Sequence, residues 1–153
     1  MLLDGFNHVA VITTDTDRFL EFYQGVFEAE VVAVQQMCDE GKLTMVNLGD
    51  KRDWNVFEVF GRPAPAHAPM LERGPLDHLG LQAASIDAFE EIRRRLIERG
   101  AADEFVTDFG PILSMFFTDP DGLELEVCVP NPDWEPGTFN PPGTPAKRYV
   151  KAG

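Results

Sequence analysis

Four side chains in this sequence have the types needed for metal chemistry: His8, Glu58, His78 and Glu126. Neutral imidazole nitrogens and carboxylate oxygens make a mixed donor set that suits a first-row divalent cation. Four protein donors leave one or two octahedral positions open for water or substrate, which a catalytic metal needs. Each residue alone has a plainer explanation. A histidine in a strand is commonly a hydrogen-bonded structural residue, and a glutamate there is commonly solvated. Jointly the four demand more, because two carboxylates converging in one concave site repel each other and are costly to desolvate. A divalent cation removes that cost. The expectation is therefore one divalent ion (Ni, Zn, Mn, Fe or Co) held by His8, Glu58, His78 and Glu126.

The elements that must position these residues occur twice. A β-branched strand is predicted over 6–13, then capping groups over 14–17. Phe19, Leu20, Phe22, Tyr23 and Phe27 follow at helical spacing, with the helix ending near Gly25 or shortly after. Strands are predicted over 30–36, 43–48 and 54–60. The pattern restarts with a strand over 76–82, an amphipathic helix over 87–99 capped by Gly100, and strands over 104–107, 112–118 and 123–129. The last of these is launched by Asp119-Pro120-Asp121-Gly122, in which Pro presets φ and Gly supplies the left-handed position of a tight turn.

The halves align at an offset of 70 residues: His8 over His78, Asp17 over Asp87, Phe19 over Phe89, and Thr44-Met45 over Ser114-Met115. Glu58 falls over Glu126 at an offset of 68, read as a longer hairpin turn in the first half. Self-similarity in the same element order predicts a duplicated strand-helix-three-strand unit. The expected organisation is a first module over 1–61, a proline-rich linker over 62–75, a second module over 76–130 and a proline-rich tail over 131–153. The tail either wraps the surface on Trp134, Phe139 and Tyr149 or is partly disordered.

Strand alternation places 8, 10 and 12 on one face, 78, 80 and 82 on another, 56, 58 and 60 on a third, and 124 and 126 on a fourth. If the opposite faces pack on the helices, all four candidate ligands point into the concave side of a curved sheet. Ala10, Ile12, Val56 and Phe60 would line it from the first half, and Gly80, Gln82, Phe116 and Glu124 from the second. His67, in the linker with no repeat counterpart, reads as a surface residue. Cys38, beside Asp39 and Glu40, and Cys128, a small core residue, do not read as nucleophiles.

A net charge of −13 repels phosphate backbones and anionic lipid, so neither nucleic-acid nor membrane partners are expected. No apolar run approaches the roughly 20 residues of a membrane span. Residues 1–5 carry no basic segment leading into a long apolar stretch, and two cysteines make no disulfide framework; the expected location is the cytoplasm.

With its two His-led strands, repeated unit and Asp119-Pro120-Asp121-Gly122 leading to Glu126, the chain resembles the vicinal oxygen chelate superfamily. That group takes in glyoxalase I, bleomycin-resistance proteins, fosfomycin-modifying enzymes and extradiol dioxygenases. The resemblance covers roughly residues 6–130. It implies an α+β fold of two βαβββ modules forming an open, curved, mixed sheet around a metal, with helices on the outer face, in a homodimer. The set at 8, 58, 78 and 126 looks most like glyoxalase I. By that resemblance the function is a metal-dependent lyase or isomerase acting on a small substrate with vicinal oxygens, with Glu58 or Glu126 as the proton-shuttling base. The alternatives are an iron-dependent dioxygenase, a drug-modifying thiol transferase, or a metal-free drug-binding module. Bacterial glyoxalase I carries an arginine where this chain has Ile12, and extradiol dioxygenases carry an acid-base tyrosine where it has Phe116.

Overall fold

Period-two alternation in the strands gives each sheet one apolar face, and that face needs a cover. The computed structural model describes residues 2, 7–37, 41–49, 53–59 and 76–149. The expected linker over 62–75, together with Cys38, Phe60 and His67, lies outside the described residues. The chain divides into two units, Met1–Ala66 and His67–Gly153.

The first unit runs β1 (His8–Thr13), α1 (Thr16–Phe27), β2 (Glu30–Met37), β3 (Gly41–Asn47) and β4 (Asp53–Val59). Its four-stranded sheet has the order β1-β4-β3-β2, with β1 parallel to β4 and the other pairs antiparallel. Asp15 caps α1 by accepting the Arg18 N–H at 3.0 Å. Phe19, Phe22, Tyr23 and Val26 form its buried stripe, and the Tyr23 ring lies 5.3 Å from Trp54. Gly25 sits inside the helix. Buried Val26 and the Tyr23–Phe27 stack carry the last turn past it, outweighing the roughly 1 kcal/mol a helical glycine costs. Glu28 then stops the helix in the left-handed region at φ 59°.

The second unit repeats the plan with β5 (Leu79–Gln82), α2 (Ile86–Glu98), β6 (Thr107–Asp108), β7 (Ile112–Thr118) and β8 (Glu124–Pro130), ordered β5-β8-β7-β6. Again the outer first strand is parallel to the last. Phe89 and Leu96 of α2 are fully buried, and the helix packs across β8. These two mixed sheets with their helices are the α+β fold the sequence predicts.

The turn into β8 is pinned by Asp119, whose Oδ1 accepts the N–H groups of Asp121 and Leu123 at 2.9 and 2.8 Å. Gly122 takes φ 84° there. β6 is shorter than the predicted strand over 104–107. The Phe105 N–H is bonded to Asp103 Oδ1 and the Glu104 carbonyl to Arg93, so that backbone is committed before the ladder begins.

The tail wraps the second unit. Thr107 pairs with Pro145, Asp108 donates to the Thr144 carbonyl, and Ala146 donates to that of Val106. Tyr149 is the effective anchor, against Phe89 with the Arg93 guanidinium over its ring, whereas Phe139 is 75% exposed. Gly110 permits the closest approach. It sits at φ 95°, and a Cβ there would lie 2.5 Å from the Thr138 carbonyl oxygen. Gly110→Ala is expected to cost about 1–3 kcal/mol, read as a lowered urea midpoint.

Candidate functional site

Leu125, Val127 and Val129 turn toward α2 and are almost fully buried, which forces Glu124, Glu126 and Cys128 onto the opposite face. Leu113, Met115 and Phe117 do the same for β7, leaving Ser114 and Phe116 beside them, with Phe116 paired to Glu126 and Ser114 to Cys128. β5 places Gly80 next to Glu126. A Cβ on Gly80 would lie 3.4 Å from Glu126 Oε2, in ordinary contact with it.

His78 stands at the entrance of β5, and its Nε2 lies 3.5 Å from Glu126 Oε2. The other end of each group is already engaged. Asp77 Oδ2 lies 2.8 Å from His78 Nδ1, and the Ser114 hydroxyl donates to Glu126 Oε1. The Phe116 ring meets the imidazole edge-on at 5.5 Å. Burial and the neighbouring Glu126 charge push the Cys128 thiol up to about 12, so it is no nucleophile.

The first unit arranges its candidates differently. His8, Ala10 and Ile12 face away from the helix, while Val9, Val11 and buried Thr13 face it. Register pairs Val9 with Trp54, Val11 with Val56 and Thr13 with Glu58. Glu58 therefore shares the helix-side face with Trp54 and Val56, opposite to His8. There its Oε2 accepts the N–H of Thr16 at 3.3 Å and the Thr16 hydroxyl, and Lys42 Nζ lies 3.2 Å away. Hydrogen bonding from Thr16, opposed by burial and reinforced by Lys42, holds the Glu58 carboxyl below its ordinary value. Val56, expected to line a pocket, is fully buried core.

The structure thus brings His78 and Glu126 together and sets His8 and Glu58 on opposite faces of their sheet. The reason is a register difference. Gly80 neighbours Glu126, and its repeat counterpart Ala10 neighbours Asn55. The strand-for-strand equivalent of Glu126 is Asn55, an offset of 71 rather than 68. Thr44 and Ser114 likewise fall on opposite faces, since a slip of one residue inverts a strand. Parity was the signal in the sequence: Glu126 alternates with Leu125 and Val127, whereas Glu58 keeps step with Trp54 and Val56.

Three further residues escaped the sequence reading. Asn7 Oδ1 lies 2.9 Å from His8 Nδ1, just as Asp77 meets His78, so each histidine is held by the residue before it. Both positions match at the 70-residue offset. Ser114 aligns with Thr44 at the same offset.

The chain belongs to the Glyoxalase/Bleomycin resistance protein/Dioxygenase superfamily, whose family model matches residues 5–127. None of the curated proteins matches. Among solved structures it is similar to a glyoxylase/bleomycin resistance protein/dioxygenase domain from Frankia sp. EAN1pec, at 21% identity and TM-score 0.71 over 86% of this chain and 95% of that one. It is similar to a glyoxalase family protein from Enterococcus faecalis, at 26% identity and TM-score 0.65 over 84% and 99%. A third is the fosfomycin resistance protein FosX from Listeria monocytogenes, complexed with Mn(II) and sulfate, at 17% identity and TM-score 0.61 over 85% and 95%. At such identities the first and third share the fold alone.

A depressed carboxyl contributes stability above its unfolded value of about 4.3 and loses it as pH falls through the folded value. Glu58→Gln is therefore expected to cost about 1 kcal/mol at pH 7 in urea unfolding, with the gap to wild type closing as pH falls through the lowered folded value.

Proposed function

We propose that this chain is a divalent-metal-dependent enzyme that acts on a small substrate bearing adjacent oxygens, with the chemistry of a glyoxalase-type lyase or isomerase. One observation carries the reading: His78 Nε2 and Glu126 Oε2 face each other at 3.5 Å while Asp77 and Ser114 engage the far ends of both groups. With the Nδ1 proton directed to Asp77, the facing atoms are both acceptors, and two lone pairs call for a positive charge between them. A nitrogen and an oxygen suit a first-row ion. The two atoms are near enough for one ion to be held by both.

When bound, the ion supplies Lewis-acid polarisation of the substrate oxygens and stabilises developing oxyanion charge. His78 is a fixed donor. Glu126 would serve as the base once its carboxylate turns off the ion, taking and returning the proton at Oε2 while Oε1 keeps the Ser114 hydroxyl bond. Gly80 places no side chain against Oε2, and the Phe116 ring packs on the imidazole while offering no acid or base of its own. Glu58 is left out of the set, since Thr16 and Lys42 occupy its carboxylate. His8 is retained as a proposed donor on the strength of the sequence repeat alone, and the homodimer as an implication of family membership that sedimentation analysis reads.

The FosX comparison makes Mn(II) the natural probe. Isothermal titration with Mn(II) is expected to give roughly one ion per chain. His78→Ala and Glu126→Gln are each expected to weaken binding by more than about 100-fold, beyond the 10–100-fold of outer-shell changes.

One observation favours a second reading, a metal-free binding module. Among the described residues no group of three or more His, Cys, Asp or Glu side chains is arranged to hold an ion. The first unit's open face is largely apolar, with Ile12 beside Phe57, and Leu43 and Met45 next to Phe57 and Asn55. Full retention of small-molecule binding in EDTA, with no Mn(II) uptake, would favour that module over the enzyme.

A further inference from the structure

Both histidines receive a side-chain oxygen at Nδ1 from the preceding residue, yet the two oxygens differ in kind. At His8 it belongs to the amide of Asn7, and at His78 to the carboxylate of Asp77. An amide can turn over and present either its oxygen or its NH2, so Asn7 accommodates both neutral tautomers of its neighbour. An ionised carboxylate has only acceptors. Two carboxylates flank the His78 ring, Asp77 Oδ2 at 2.8 Å from Nδ1 and Glu126 Oε2 at 3.5 Å from Nε2, and the shorter contact favours a neutral imidazole with its proton on Nδ1.

We infer that Asp77 is a positioning residue: its carboxylate locks His78 in the Nδ1–H tautomer and aims a bare Nε2 at Glu126. Asp77 and His78 are both partly buried, with side chains 21% and 32% exposed, so the contact is sheltered without being sealed off. The Phe116 ring packs against the same imidazole, with centroids 5.5 Å apart and planes at 81°. Ser114 does for Glu126 what Asp77 does for His78, engaging one end so that the other faces inward. The consequence for metal binding rests on the function proposed above. The tautomer lock itself does not.

The test separates the two. Long-range proton–nitrogen correlation spectra of metal-free protein labelled with ¹⁵N-histidine, recorded at pH 8.5, read which ring nitrogen of His78 carries the proton. Wild type is expected to hold the Nδ1–H form. Asp77→Ala is expected to shift His78 to a predominantly Nε2–H population, and the isosteric Asp77→Asn to an intermediate mixture. Asn7→Ala should leave His78 unchanged. In parallel, Asp77→Ala is expected to weaken Mn(II) binding about 10–100-fold. An Nε2–H His78 in wild type, or a tautomer ratio that Asp77→Ala does not move, overturns the inference. A tautomer shift without Mn(II) uptake by wild type upholds the lock and removes the metal reading.

Discussion

A histidine nitrogen and a carboxylate oxygen held 3.5 Å apart, each with its other end engaged, form the contact on which this account depends. Asp77 and Ser114 engage the far ends of the two groups. On the function proposed above, such a pair would be preorganised for a cation, because the sheet meets the cost of bringing the donors together before any ion arrives.

The sheet meets that cost through alternation. Apolar side chains of β7 and β8 are drawn under α2, and every second residue is left facing the other way. Ser114, Phe116, Glu126 and Cys128 owe their common face to Leu113, Met115, Leu125 and Val127. In the first unit the same rule takes Glu58 the other way, to the N-terminus of α1. There a carboxylate is favoured by the helix dipole and by the free N–H groups of the first turn. Residues of one type in two copies of one unit thus have different work: one faces an imidazole, the other fastens a helix to its sheet.

The architecture was legible in the sequence because it is written in periodicities. Element order, both helices, the duplicated plan and the Asp119 turn follow from spacing and turn chemistry over many residues. The site was legible only in part. His78 and Glu126 lie where strand parity puts them, but Glu58 was matched to Glu126 by residue type, and type carries no information about face. A one-residue difference between the halves, invisible to an alignment that tolerates turns of any length, inverts β3 and β4 relative to their counterparts. The shortness of β6 is hidden for another reason: residues 104–105 commit their backbone to Asp103 and Arg93, a choice made by contacts that periodicity does not carry. Asp77 and Asn7 stood in plain view before each histidine, and what hid them was that hydrogen-bond direction is read from a structure, not from composition.

Anomalous diffraction from crystals grown with Mn(II) tests the central contact most directly. The account predicts a strong manganese peak bonded to both His78 Nε2 and a carboxylate oxygen of Glu126, with Asp77 still at Nδ1. Manganese bound at full occupancy away from this pair, or the two side chains unmoved with no peak between them at saturating metal, would contradict it.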